Sequence, residues 1–309
     1  MRVIRIALIL FCLVGGPNAG WLAQVHAAQV PGVAGAEAGG AAAKEEHGVP
    51  QKASEIARPF GFPVTNSMLV SWIVALGLII FARVAMRDAK EIPSGAQNFW
   101  EWMVESLHNF LEGIIGHQLV NKTFWFFATV FIFILFSNWL GLIPGFGTIY
   151  RKVPESNAWE PLFRGANADL NLTLAMALVF FVCWTVWAVQ AHGPMGFLLH
   201  LFGPKGEATG PLKLLMIVVF FAVGLLEIVS ILFRPVSLSF RLYGNIFAGE
   251  NIMEAMSNLI PHFGWLLPIP FYFMELLVGF VQALVFMLLT AVFTMMICQE
   301  EEGHAKARH

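Results

Sequence analysis

The sequence predicts an all-α, polytopic membrane protein of five to six membrane helices, the last two long, steeply tilted and folded back on each other as a hairpin. Three observations carry this expectation. Hydrophobic residues make up 58% of the 309-residue chain and charged residues only 12%, about half the roughly 25% of a soluble domain; mean hydropathy is +0.70. Apolar runs recur at the ~20 residues a helix needs to cross a ~30 Å hydrocarbon core. Backbone polar groups in lipid must bond within their own segment, so such runs are helices.

The first segment reads as a signal peptide over residues 1–27. Arg2 and Arg5 precede the apolar stretch Ile6–Val14, and Val25-His26-Ala27 offers small residues for cleavage. An uncleaved N-terminal anchor is the alternative. Residues 28–60, rich in Ala and Gly, read as a flexible linker without a core. The membrane domain is expected over 61–299, and residues 300–309 as a cytoplasmic tail.

Ser67–Met86 is the first span. Arg83, Arg87 and Lys90 form a basic edge that places its end in the cytoplasm and the mature N-terminus outside. Phe99–His117 spaces Phe99, Met103, Leu107, Phe110, Leu111 and Ile114 helically with glutamates between them, which predicts an amphipathic surface helix. Phe124–Ile143 and Leu170–Val189 are further spans, joined by an outside loop over Gly145–Arg164. Gln190–Gly210, with Gly193, Pro194, Gly203, Pro204 and Gly206, reads as a cytoplasmic loop. Pro211–Met256 is too long for one upright span, roughly 70 Å at 1.5 Å per residue. Either it breaks near Pro235 or it tilts steeply. Pro270–Ile297, about 42 Å by the same rise, should tilt too.

The charges inside these last two segments carry the functional reading. A charge at mid-bilayer costs several kcal/mol and survives with a partner, a wet cavity or a function. At 100° per residue, Glu227, Ser237, Arg241 and Asn245 fall on one stripe, while Glu250, nine residues after Arg241, lies about 180° around the helix. Glu275 and Gln282, two turns apart, share a face. A cation that cannot be deprotonated, with protonatable carboxylates on a different face, is the arrangement an ion path needs. Arg234, before Pro235, reads as a snorkelling anchor. Asp169 and Asn171 open the third span, as helix caps or as channel-lining groups.

Net charge is −2, with no basic excess to suit nucleic acid. Cys12, Cys183 and Cys298 are spaced too widely for a disulfide framework or a metal site, and no motif implies a cofactor. An ion-coupled secondary transporter would show internal repeats, and an intramembrane hydrolase a zinc motif or a nucleophile with its base. Neither pattern is in the sequence.

The run Pro235-Val-Ser-Leu-Ser-Phe-Arg-Leu-Tyr-Gly-Asn-Ile-Phe-Ala-Gly-Glu250 resembles the signature of subunit a of F-type ATP synthases. Gln282-Ala-Leu-Val-Phe-Met-Leu-Leu-Thr290 resembles that family's motif on its last helix, and Ala168-Asp-Leu-Asn-Leu-Thr173 the segment that opens an earlier span. Glu227 also falls where the family keeps a carboxylate. The resemblance, over roughly Ser67 to Ile297, implies a non-catalytic stator subunit of the F0 sector in a bacterial inner membrane. Its implied partners are the c-subunit ring, the b subunits of the peripheral stalk and, indirectly, F1. Arg241 would meet each ring carboxylate. Asn245, Glu250, Glu275 and Gln282 would line the outside half-channel, with Glu227 and Ser237 toward the cytoplasmic one. A sodium-translocating version stays open. Many family members pair a carboxylate with a histidine at the Glu250 and Glu275 positions. Here both are glutamates, which disfavours joint ionisation and predicts one shared proton.

Overall fold

The computed structural model describes residues 53–58, 63–143, 146, 149–152, 159–202, 211–259 and 266–306. The expected signal peptide with Cys12, the linker up to residue 52 and the last three residues of the tail lie outside them. Six α-helices make up the described chain: α1 Asn66–Ala85, α2 Ala96–Ile115, α3 His117–Gly141, α4 Leu170–Phe202, α5 Pro211–Leu259 and α6 Pro268–Lys306. Five of them are long and apolar enough to cross a membrane, α2 being the exception. The protein is a multi-pass membrane protein.

Thr65 caps α1, its hydroxyl accepting from the Met68 N–H at 3.3 Å. A narrow stripe of Asn66, Ser67, Val70, Ser71 and Val74 is buried, while Trp72, Ile73, Leu76 and Ile80 are exposed. An apolar exposed face on an apolar helix suits lipid. Helix α2 buries Met103, Leu107, Leu111 and Ile115, one per turn. Phe99 and Phe110, expected on that same face, are exposed instead, because four-residue spacing drifts across the contact with α3 and α6 and leaves only one narrow stripe inside. Gly95 and Gly116 hold positive φ at the two ends of α2, and Gly116 forms the elbow into α3.

Helix α3 is the most enclosed span, with Phe126, Phe127, Phe131, Ile134 and Leu135 in the core. Helix α4 departs from expectation. The stretch from Gln190 is not a loop: α4 continues to Phe202, interrupted at Gly193, where φ is 71° and the next residue is Pro194. A glycine with positive φ ends the first helical stretch and proline suits the first turn of the next, so Gly193 and Pro194 join two stretches across a kink; Gly203, Pro204 and Gly206 lie outside the described residues.

Of the two alternatives for the long apolar segment, α5 takes the unbroken one. Its 49 residues run through Pro235, about 73 Å at 1.5 Å per residue. Helix α5 packs on α4 and on α6, and α6 also packs against α3. Helix α6 extends to Lys306, so the residues expected as a tail continue the helix.

At the end of the bundle where α1 begins, two short antiparallel pairs meet. Strand β1 (Glu55–Ala57), within the expected linker, pairs with β2 (Val64–Thr65), and β3 (Tyr150–Lys152) pairs with β4 (Trp159–Pro161). Arg151 Nη1 donates to the Ile56 carbonyl and Asn66 Nδ2 to the Pro161 carbonyl, both at 3.1 Å. From β4 the chain dips inward through Arg164, Gly165 and the buried 3-10 turn Ala166–Ala168 before α4 starts. That inward dip positions the site.

Candidate functional site

A small cleft lies where α3, the 3-10 turn, α5 and α6 converge. Its lining includes Ser137 and Asn138 of α3, Gly165 and Asn167 of the inward dip, Glu250 of α5 and Glu275 of α6. The polar groups arrive from four separate segments, so no single helical face displays the set.

The framework is a chain of amides. Asn167 Nδ2 donates to Asn138 Oδ1 at 2.6 Å, and Asn138 Nδ2 donates to the Gly279 carbonyl at 3.0 Å. The second bond ties α3 to α6 across 141 residues of sequence. It needs a close approach: a Cβ at Gly279 would lie 3.0 Å from Asn138 Cβ. Buried amides of this kind specify one arrangement because every alternative strands a polar group.

Both glutamates open onto this cleft. Glu275 is only 5% exposed, and its carboxyl group lies directly on the backbone of α5 at Gly249, where a Cβ would overlap it. Glu250 faces the dip. Its Oε2 is 3.5 Å from Nε of Arg164, an ion pair looser than a hydrogen bond, with side-chain exposures of 18% and 3%. The Gly165 N–H donates to the same carboxylate. Ser137 Oγ, Asn167 Oδ1, Glu250 Oε2 and Glu275 Oε1 are buried with no hydrogen-bond partner among the described residues. Groups so placed need water or a proton, and the cleft gathers several of them around two carboxyl groups.

Arg241 lies elsewhere. It is exposed and, among the described residues, makes no hydrogen bond or ion pair. Ser237, one turn before it, is exposed as well, and Asn245, one turn after, is half-buried. Arg241 and Glu250 therefore sit on different sides of α5, as the half-turn between them requires. Gln282 is half-buried on α6, two turns from Glu275, and neither it nor Asn245 lines the cleft.

Glu227 and Arg234 mark a second locus farther along α5. The Arg234 guanidinium stands 4.6 Å from the Phe293 ring centroid and 5.8 Å from that of Trp184, and Trp184 Nε1 donates to the Phe293 carbonyl at 3.2 Å. Arg234 is thus held between the rings of α4 and α6 by cation–π contact, where the sequence suggested a snorkelling anchor. Glu227, two turns before it, is half-buried.

Asp169 resolves as a cap. It precedes α4, its Oδ1 accepts from the Asn171 N–H at 2.9 Å, and its carbonyl accepts from the Thr173 N–H. Burial pushes its carboxyl group above the usual carboxylate range, opposed by the Asn171 hydrogen bond and the Arg164 charge. Asn171 is exposed and does not line the cleft.

Arg164, Ser137, Asn138 and Asn167 were not legible as site residues. Periodicity assigns faces within helices, and Arg164 and Asn167 lie on an irregular segment. Ser137 and Asn138 look like ordinary polar breaks in an apolar span. The available hint was a lone arginine before the small residues Gly165-Ala-Asn-Ala168, a run able to pack tightly inside.

Comparison with known proteins identifies the family of the chain. Residues 68–295 match the family described as ATP synthase A chain. The chain is 34% identical over 228 residues to ATP synthase subunit a 1 of Pelobacter propionicus, covering 74% of this chain and 85% of that one. It is 34% identical over 229 residues to ATP synthase subunit a of Trichlorobacter lovleyi, with coverage of 74% and 85%. Against ATP synthase subunit a of Gloeobacter violaceus it is 31% identical over 239 residues, covering 77% and 86%.

Proposed function

This chain belongs to the ATP synthase A chain family, and from that premise we propose that it is the proton-conducting stator subunit of an F0 sector. It carries no catalytic site of its own; its partners are the c-subunit ring, the b subunits of the peripheral stalk and, through the complex, F1. The observation that carries the reading is the separation of charges on α5. Arg241 is exposed on the outside of the bundle, and Glu250 faces an interior cleft shared with Glu275.

In this reading a proton from outside passes Asp169 and Asn171 at the mouth and enters the cleft lined by Glu250 and Glu275. It continues past Asn245 and Gln282 to a ring carboxylate and rides the ring for almost a full turn. It leaves past Ser237 and Glu227 to the cytoplasm. Arg241 faces the ring between the two paths. A guanidinium stays protonated at any accessible pH, so it forces the arriving ring carboxylate to ionise and blocks direct passage from one path to the other. Each charge moved through 100 mV supplies ~2.3 kcal/mol toward torque. In the same reading the chain lies in a bacterial inner membrane; the basic edge of Arg83, Arg87 and Lys90 favours the far end of α1 in the cytoplasm, with the mature N-terminus outside and the end of α6 inside.

The test is Arg241→Ala, with ATP-driven proton pumping measured in inverted vesicles and assembly checked by copurification of the c ring. Loss of pumping in an intact complex is expected. Normal pumping refutes the stator role of Arg241.

A further inference from the structure

Two glutamates share one cleft, yet their surroundings differ. The segment that dips into the bundle wraps Glu250 from one side. The buried Arg164 guanidinium is 3.5 Å from its Oε2, and the adjacent Gly165 N–H donates to the same carboxylate. Arg164 also stacks over Phe247, with Cζ 5.7 Å from the ring centroid. Phe247 and Glu250 are neighbours on one face of α5, three residues apart, so Arg164 is held at two points of the same turn. The fit at Gly165 is tight: a Cβ there would come 2.6 Å from Glu250 Oε1. Glu275 has neither the ion pair nor the wrapping segment: it makes no ion pair among the described residues, and its carboxyl group rests on the bare backbone at Gly249.

We propose that Arg164 is a positioning residue that divides the work of the two glutamates: it holds Glu250 as a fixed ion-pair partner and leaves Glu275 to take up and release the transported proton. The inference rests on the proton-conducting reading above. The Glu275 carboxylate accepts a proton from water on the outside and passes it onward to a ring carboxylate. Arg164 and Glu250 keep their charges throughout. Arg164 also acts on the Asp169 carboxyl group, which is held by its cap to the Asn171 N–H; with Glu250 in its ion pair, Glu275 is the cleft carboxyl group left to take the proton. On this proposal the one proton expected of the glutamate pair resides on Glu275.

The asymmetry is tested with charge-paired variants in the whole complex, reading ATP-driven pumping and c-ring copurification. Arg164→Gln and Glu250→Gln each strand a buried charge, and each should lower pumping at least about tenfold. The double variant R164Q/E250Q removes both charges together and should pump at least about threefold better than the worse single variant, because coupled partners are non-additive. Glu275→Gln should abolish pumping, alone and in the double background. Arg164→Lys keeps the charge and should recover most of the activity lost in Arg164→Gln. If a single variant fails to assemble, recovery of the ring in the double variant supports the pairing. A double variant no better than the worse single, an Arg164→Lys variant as impaired as Arg164→Gln, or pumping that survives Glu275→Gln each overturns the proposal. Arg241→Ala is run alongside. Pumping in that variant would refute the stator reading itself, whereas its loss together with failed charge pairing refutes only the role of Arg164.

Discussion

Gly249→Ala adds one methyl group at the closest approach of α5 and α6, and its consequence follows from the contact it meets. The new Cβ would overlap all three atoms of the Glu275 carboxyl group. Two responses can relieve the overlap. The helices can separate, which costs about 1–3 kcal/mol for an overpacked core and strains the Asn138–Gly279 bond that ties α3 to α6. Alternatively, Glu275 can leave its rotamer, at about 0.5–1.5 kcal/mol. The carboxyl end of a flexible side chain is the softer element, so Glu275 moves and the complex still assembles. A proton donor displaced by ~1 Å loses on the order of a hundredfold in transfer rate. ATP-driven proton pumping in inverted vesicles should therefore collapse while c-ring copurification is retained. Gly77→Ala is the control: no atom lies within 4 Å of a Cβ at Gly77, so pumping should be unchanged. Parental pumping in Gly249→Ala would show that the position of Glu275 over that glycine has no part in ion transfer.

Two further outcomes follow from the same geometry. Asn138→Leu places an apolar side chain against the buried Asn167 amide and removes the bonds to it and to the Gly279 carbonyl, leaving the amide only its 3.4 Å contact with the Ile134 carbonyl. It should destabilise the fold by about 2–4 kcal/mol, seen as a lower thermal transition of the solubilised complex; an unchanged transition would mean that the amide chain is not structural. Asp169→Asn keeps an oxygen acceptor for the Asn171 N–H and removes a buried charge. Burial raises the Asp169 carboxyl group in the fold, so its charged form opposes folding at neutral pH, and this cost fades as pH falls through the raised folded value. Asp169→Asn should thus be as stable as the parent or more so at pH 8, with the difference shrinking toward pH 4. A variant less stable than the parent at pH 8 would show the charge to be net favourable, through Arg164.

Much of this protein could be read from its residues alone. Spans α1, α3 and the start of α4 are long apolar runs, and a helix in lipid has no alternative way to satisfy its backbone. The surface character of α2 follows from glutamates at helical spacing. The placement of Arg241 opposite Glu250 is angular arithmetic within one helix, and it held because α5 is unbroken between them. What sequence could not supply involves relations between segments. Nothing local says that a second helical stretch, rather than a loop, starts at Pro194. Phe99 and Phe110 have helical spacing but lie off the narrow stripe that the contact with α3 and α6 covers. The pairing of Glu250 with Arg164 joins residues 86 positions apart in sequence, one on an irregular segment with no period to read. Periodicity determines which way a side chain points from its own helix. Only the packing of α3, the inward dip, α5 and α6 decides what it meets there, because burial, ion pairing and the bare glycine surfaces at Gly249 and Gly279 are properties of two segments at once.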